Sequence, residues 1–155
     1  SLKEYLNLYE DSIQSPDTFW LNQTKELSWF TLPTKACEFE WNSKKRVVQH
    51  EWFADGSLNV SFNCLDRHIQ NGLGSKTALI WQGETLEENC KVTFNELLKK
   101  VCQIANTLKD LGVEKGDRVA LYLPMTPEAI ATMLACTRIG AIHSIIFAGF
   151  SFFSS

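Results

Sequence analysis

The last third of the chain limits the fold more than any other part of it. Two short, predominantly apolar runs typical of β-strands, 119–123 and 142–147, flank one amphipathic stretch. Thr126 suits a helix cap, Pro127 the first helical position, and Gly140 the end of the helix. This order predicts a strand–helix–strand crossover, the unit from which parallel α/β sheets are built. Sheets of this kind bind ligands at the carboxyl ends of their strands.

A second helix is predicted upstream of this crossover. Thr93 and Glu96 form a capping box, apolar residues then recur at helical spacing, and Gly112 provides a left-handed cap. An apolar strand over residues 77–81 precedes the helix, and an acidic loop over residues 84–89 lies between the two. The resulting order, β-α-β-α-β, predicts a parallel sheet of three strands.

The first part of the chain has a different character. Residues 2–27 are predicted to be helical, with Ser15 as a cap and Pro16 at the first helical position of a new helix. The pattern weakens over residues 29–58, where turn residues and tryptophans predict an irregular arm that lies over apolar surface. A short helix is predicted over residues 59–70. The fold class is therefore α/β, a partial parallel sheet preceded by an irregular helical N-terminal arm.

The predicted sheet has too few elements to be complete. Three parallel strands are few for a sheet that must be covered on both faces, and the last strand would have an open edge. Phe150, Phe152 and Phe153 follow that edge directly. We expect this chain to be an incomplete piece of a larger domain and to have the remainder of that domain as its partner. Such a piece would expose apolar surface, bind hydrophobic dyes and aggregate.

Charge and cysteine content exclude several classes of function. The chain has 155 residues and a net charge of −3, so no general electrostatic attraction to nucleic acid is expected. Its five cysteines are scattered and include no C-x-x-C pair, which argues against a zinc site. Free thiols without a signal peptide indicate a reducing compartment, the cytoplasm. Cys102 and Cys136 fall on apolar helix faces and are predicted to be core residues.

A membrane-spanning helix is the alternative for residues 129–153. Only Arg138 carries a full charge there, and the length is close to the ~20 residues that span a bilayer. Arg138 would lie near the middle of the bilayer, however, and Gly140 falls where a helix should end. A helix followed by a buried strand is the better interpretation, and no membrane partner is expected.

Other polar residues favour structural roles. Asp66, Arg67 and His68 are adjacent and point in different directions on a helix, so a surface or interdomain ion pair is predicted there rather than catalysis. His143 lies inside a predicted strand and is expected to be a buried histidine. His50 has no second metal ligand nearby in sequence. Arg138 ends a helix, where a cation interacts favourably with the dipole.

Four segments carry a resemblance to a known family. They are Asn-Val-Ser-Phe-Asn-Cys-Leu-Asp-Arg-His over residues 59–68, Ala-Leu-Ile-Trp-Gln-Gly-Glu over 78–84, the entry arm over 9–20 and the run over 116–151. These segments resemble parts of AMP-forming acetyl-CoA synthetases. Such synthetases belong to the adenylate-forming (acyl-CoA synthetase) superfamily. The resemblance extends in register over nearly the whole chain.

The resemblance implies a division of the chain. Residues 1–75 correspond to the family's N-terminal arm, residues 76–151 to the start of its AMP-binding α/β domain, and residues 152–155 to no part of it. A second departure is Ala148, where family members tend to have glycine.

The resemblance also implies a two-step ligase. Acetate and ATP give acetyl-adenylate and pyrophosphate with Mg²⁺, and the thiol of CoA then displaces AMP. The family's triphosphate loop, ribose aspartate and catalytic lysine have no counterpart in this chain, and no phosphate-binding G-x-x-x-x-G-K-[ST] loop replaces them. This chain alone is therefore expected to be inactive, with no catalytic or metal-binding residue, and to bind ATP, CoA and Mg²⁺ at most weakly.

One functional element is implied within the chain. In the family, the turn that matches Phe147, Ala148 and Gly149 lies beside the nucleotide portion of CoA. The alternative for Phe147 is a core aromatic residue that closes a strand. Two alternatives to the acetate ligase also stay open: a propionyl-CoA synthetase relative, and a stand-alone, non-catalytic module that binds CoA or a complementary chain.

Overall fold

A computed structural model describes residues 1–147, which form two units that divide after Leu58. Residues 148–155, which include Ala148, Gly149 and the predicted non-family tail, lie outside the described residues.

The first unit combines helices with an antiparallel hairpin. Its elements are α1 (Leu2–Gln14), α2 (Pro16–Gln23), a 3₁₀ turn (Thr24–Glu26), β1 (Cys37–Asn42) and β2 (Val47–Trp52). The predicted helical character of this part is confirmed, as is the start of a helix at Pro16.

The hairpin corrects the prediction of an irregular arm over residues 29–58. β1 and β2 pair antiparallel in register from Cys37↔Trp52 to Asn42↔Val47. The turn is closed by Asn42, whose side-chain oxygen accepts the Lys45 amide at 3.0 Å, and it includes a left-handed φ of 53° at Arg46. The hairpin was missed because most of its side chains are exposed on both faces, so the sequence does not alternate between buried and polar positions.

Aromatic side chains hold the first unit together. The Trp29 indole donates a hydrogen bond to the Thr24 carbonyl at 2.9 Å, and its ring lies edge-on to Phe53 at 5.8 Å between centroids. Gly56 approaches the same indole so closely that a Cβ there would lie 2.6 Å from Trp29 Cζ3. The close approach of backbone to ring explains the glycine.

The second unit begins with a helix that contains two wide π-helical segments. Its elements in chain order are the π segments Phe62–Asp66 and Ile69–Leu73, β3 (Thr77–Gln82), β4 (Asn89–Thr93), α3 (Phe94–Asp110), β5 (Arg118–Leu123), α4 (Pro127–Ile139) and β6 (Ile142–Phe147).

The α/β class is confirmed, with a parallel pair of strands joined by a helical crossover. β5 and β6 pair in parallel from Arg118↔Ile142 to Leu123↔Phe147, and α4 connects them. The strand predicted first, β3, does not join this sheet in the described residues but pairs antiparallel with β4. The predicted acidic loop is the turn of that hairpin. β4 was missed because it is short and runs directly into the cap of α3.

The core of the second unit lies between helices. α3 and α4 pack on each other and on the first π segment through six buried side chains: Leu65, Leu97, Val101, Ala105, Ala131 and Ala135. Cys136 is fully buried, and burial raises the pKa of its thiol. Cys102 is partly buried. The predicted core position is therefore confirmed for Cys136, whereas Cys102 lies outside the buried core.

The end of α4 decides between a membrane helix and a helix followed by a strand. Gly140 takes a left-handed φ of 79°, and β6 begins two residues later. The helix–strand interpretation is confirmed. Over residues 1–147, every helix is too short or too polar to cross a bilayer.

One face of the parallel pair stays uncovered within residues 1–147. Tyr122 and Ile142 point away from the helices and are 61% and 58% exposed, and Ile146 on the same face is also exposed. Apolar side chains of this kind on one side of a sheet match the expectation of exposed apolar surface.

The capping box of α3 provides a first testable prediction. The Thr93 amide donates to the Glu96 carboxylate at 2.8 Å, and the Thr93 hydroxyl accepts the Glu96 amide at 3.3 Å. Replacing Thr93 with alanine should lower the free energy of unfolding by about 1 kcal/mol at neutral pH, because a backbone donor loses its partner. Urea denaturation followed by circular dichroism measures the change.

The pH dependence of this effect has a defined sign. Hydrogen bonds from the Thr93 amide and hydroxyl lower the pKa of Glu96 below its ordinary value of 4.5. The contribution of the pair is present above that value and is lost as the pH falls through the folded-state pKa. The difference in the free energy of unfolding between Thr93→Ala and the unmodified chain should therefore become smaller below pH 4.5. Thr126→Ala is the control, since Thr126 makes no side-chain hydrogen bond to the amides of α4. An equal effect of both variants would contradict the prediction.

Candidate functional site

The candidate site lies where β5 and β6 end. The parallel register places Leu123 beside Phe147, the last residues of the two strands. The chain leaves β5 through Pro124 and enters α4 at Pro127, so a short loop crosses the edge of the sheet at this point. Strand ends and a helix N-terminus therefore meet at one edge, the usual ligand-binding edge of a parallel sheet.

A cavity of about 400 Å³ opens at this edge. It lies between the sheet face and α4. Its lining consists of Leu121, Leu123, Met125, Ala129, Ile130, Met133, Ile145 and Phe147. These described lining residues are all apolar and uncharged, so the cavity suits an apolar or aromatic group rather than an ion.

The loop over the cavity is fixed from the neighbouring hairpin. The Trp81 indole on β3 donates a hydrogen bond to the Met125 carbonyl at 2.7 Å. The Thr126 amide donates to the Pro124 carbonyl at 2.8 Å and tightens the turn. Sequence reasoning did not assign a role to Trp81, because its partner lies 44 residues away in the chain.

Phe147 is accessible at the mouth of this cavity. It lines the cavity and is 67% exposed, more than a core aromatic residue would be. An exposed ring at a strand end can stack on a planar ligand group. The CoA contact assigned to Phe147 by resemblance stays a prediction.

The described residues suit only part of the family's ligands. An exposed aromatic ring beside an apolar cavity fits the adenine or pantetheine of CoA. The phosphates of CoA and ATP need cationic or backbone donors, and the lining described above contains no cation. Residues 1–147 also contain no group of three carboxylate, imidazole or thiol side chains placed to hold a metal.

Of the polar residues singled out from sequence, Asp66 and Arg138 lie together. Asp66 accepts two hydrogen bonds from the Arg138 guanidinium, at 2.8 and 3.0 Å. The same pairing raises the pKa of Arg138. Asn59 donates to the Thr137 and Arg138 carbonyls at 3.0 and 3.1 Å, so the C-terminus of α4 is held twice by the helix before β3. An ion pair is therefore present at Asp66, but it is partly buried and lies within the second unit, where a surface or interdomain pair was predicted; its partner is 72 residues away.

The two histidines of the second unit, His68 and His143, pack against other parts of the fold and lie outside the cavity. The His68 ring packs on Phe94 with centroids 5.3 Å apart. His143 is partly buried on β6, opposite Val119. Neither lies in the lining of the cavity at the strand ends.

Family models match nearly the whole chain in two adjoining parts. The family described as "Acetyl-coenzyme A synthetase N-terminus" matches residues 5–64, and the family described as "AMP-binding enzyme" matches residues 65–152.

Individual relatives agree with these matches. Acetyl-coenzyme A synthetases of Mesorhizobium japonicum and Leptospira biflexa are each 50% identical to the chain, over 95% and 97% of its length. Each match covers 22% of the relative, so the chain spans about a fifth of their length. Among solved structures, acetoacetyl-CoA synthetase from Streptomyces lividans matches with a TM-score of 0.76 and 27% identity, over 92% of the chain and 21% of that protein.

Proposed function

Because the chain belongs to the AMP-binding enzyme family and matches the N-terminus of acetyl-coenzyme A synthetases, we propose that it forms the N-terminal part of an acetate–CoA ligase. The whole enzyme would convert acetate and ATP to acetyl-adenylate and pyrophosphate, and would then transfer the acetyl group to the thiol of CoA. The observation that carries the proposal is the 50% identity to acetyl-coenzyme A synthetases over nearly the entire chain.

Within such an enzyme the chain would supply scaffold and a part of the CoA surface. Residues 1–75 would form the N-terminal arm and residues 76–151 the start of the AMP-binding domain. Phe147, with Ala148 and Gly149 after it, would contact the nucleotide portion of CoA. The exposed ring at the carboxyl end of β6 supports this assignment. The described cysteines are all free thiols, which fits a cytoplasmic enzyme.

A chimera tests the proposal. Residues 1–147 of this chain replace the matching segment of the Mesorhizobium japonicum relative, and acetate-dependent ATP–pyrophosphate exchange and acetyl-CoA formation are measured. The chimera should keep both activities, whereas this chain alone should show neither, since it contains no triphosphate-binding motif. A folded chimera without exchange activity would contradict the proposal.

The same chimera gives a residue-level prediction. Phe147→Ala should raise the KM for CoA about 10-fold, the loss expected when one base loses its aromatic stacking partner. ATP–pyrophosphate exchange should not change, because CoA does not take part in the first step. Phe39→Ala, which removes an exposed aromatic residue of the first unit, is the control. An unchanged KM for CoA, or an equal loss of exchange activity, would contradict a CoA contact at Phe147.

A further inference from the structure

The hairpin of the first unit brings a thiol and an imidazole together. Cys37 begins β1, and His50 lies on β2 opposite Phe39. The distance between Cys37 Sγ and His50 Nε2 is 3.0 Å, within hydrogen-bond range for sulfur. In the tautomer that carries its proton on Nδ1, His50 accepts the thiol proton at Nε2. Cys37 is partly buried and His50 is exposed, so reagents can reach the pair from solvent.

An apolar cavity of about 520 Å³ adjoins this pair. Cys37 and His50 belong to its lining, together with aromatic and apolar side chains of α2 and the hairpin. We name it the aromatic cleft; the aromatic residues that line it are Trp20, Phe39, Trp41 and Trp52. Trp20 and Trp52 pack edge-to-face with centroids 5.8 Å apart and form one wall. The cleft therefore offers a small aromatic molecule a surface beside a nucleophile and a base.

We propose that Cys37 is a site of covalent modification by α,β-unsaturated carbonyl compounds that carry an aromatic group. The aromatic group enters the aromatic cleft, and Cys37 Sγ forms a bond to the β-carbon of the alkene. The π electrons of the C=C bond move to the carbonyl as an enolate. His50 Nε2 takes the thiol proton and returns it to the α-carbon, so the product is a thioether with no leaving group and no change in total protons.

The other cysteines lack this combination. Cys64 is exposed, and Cys136 is fully buried with a thiol whose pKa is raised by burial. Among residues 1–147, Cys37 is the thiol that lies within hydrogen-bond distance of an imidazole nitrogen, and it is the one that lines the aromatic cleft. The proposal concerns the first unit alone and does not depend on the ligase activity.

The experiment compares two probes on the native chain. N-phenylmaleimide and unsubstituted maleimide are added in limiting amounts, and peptide-resolved mass spectrometry gives the modification rate at each cysteine. Cys37 should react with N-phenylmaleimide at least about 10-fold faster than the exposed Cys64, a modest part of what a positioned base contributes. The preference should be smaller with maleimide and absent in urea. A native Cys37 that reacts no faster than Cys64 would overturn the proposal.

Two variants separate the base from the cleft. His50→Gln should reduce the Cys37 rate to that of Cys64 with both probes, whereas His68→Gln, the control, should leave it unchanged. Trp41→Leu, at a side chain 76% exposed, should remove the preference for the phenyl probe and keep the faster rate with maleimide. A fast Cys37 that His50→Gln does not slow would overturn the role of His50. The unmodified chain alone tests the cleft: if Cys37 shows no greater preference for N-phenylmaleimide than for maleimide, the role of the cleft is overturned.

Discussion

Replacing Leu65 with alanine is expected to lower the free energy of unfolding by about 3 kcal/mol, within the range for a buried leucine truncated to alanine. Leu65 is 1% exposed and lies in the buried cluster shared by the first π segment, α3 and α4. Its side chain packs among residues of two other helices, Val101 of α3 and Ala131 of α4 among them, and a cavity would be left between three elements. Urea denaturation followed by circular dichroism measures the loss.

Leu86→Ala is the matched control, since Leu86 lies in the turn between β3 and β4 and is 85% exposed. Its effect should stay within about 0.5 kcal/mol, as for most surface substitutions. If Leu65→Ala and Leu86→Ala destabilise the chain equally, the first π segment does not pack on α3 and α4 as described.

Breaking the Asp66–Arg138 pair is expected to be the second large loss. Asp66→Ala should cost about 2 kcal/mol, because a mostly buried guanidinium would keep its charge and lose two hydrogen bonds. The cost is below that of a fully buried pair, since the Arg138 side chain is 29% exposed and solvent screens part of the charge. The variant also weakens the contact that ties the end of α4 to the helix before β3.

A double-mutant cycle isolates the coupling. Asp66→Ala, Arg138→Ala and the double variant should give a coupling energy of about 1–2 kcal/mol. The Lys35–Glu38 pair, which is exposed and three residues apart in the first unit, is the control. Its coupling should be below about 0.5 kcal/mol. Equal coupling in both pairs would mean that the Asp66–Arg138 contact is no more than a surface ion pair.

Local signals were sufficient for the helices and the parallel crossover. The capping box of Thr93 and Glu96 sets the start of α3, and Gly140 sets the end of α4. Both signals act within a few residues, so these helix ends could be predicted from sequence. The parallel crossover could be predicted because β5 and β6 are apolar runs on either side of a single helix.

Contacts distant in sequence could not be predicted in the same way. The partner of Asp66 is 72 residues away, and the partner of the Trp81 indole is 44 residues away. The first hairpin was missed because its strands are largely exposed, so burial leaves no periodic pattern in them. In the second hairpin only β4 was missed, because it is short and runs directly into the cap of α3. The approach of His50 to Cys37 depends on the first of these hairpins and could not be inferred without it.

The distribution of tryptophan determines what intrinsic fluorescence reports in this chain. Four of the five tryptophans lie before Leu58, and only Trp81 lies after it. Emission will therefore follow mainly the solvation of the aromatic cleft and its surroundings, while the buried cluster around Leu65 contains no indole. A fluorescence titration and a dichroism titration of the same sample will weight the two units differently. Coincidence of their midpoints is thus a direct measure of whether the two units unfold together.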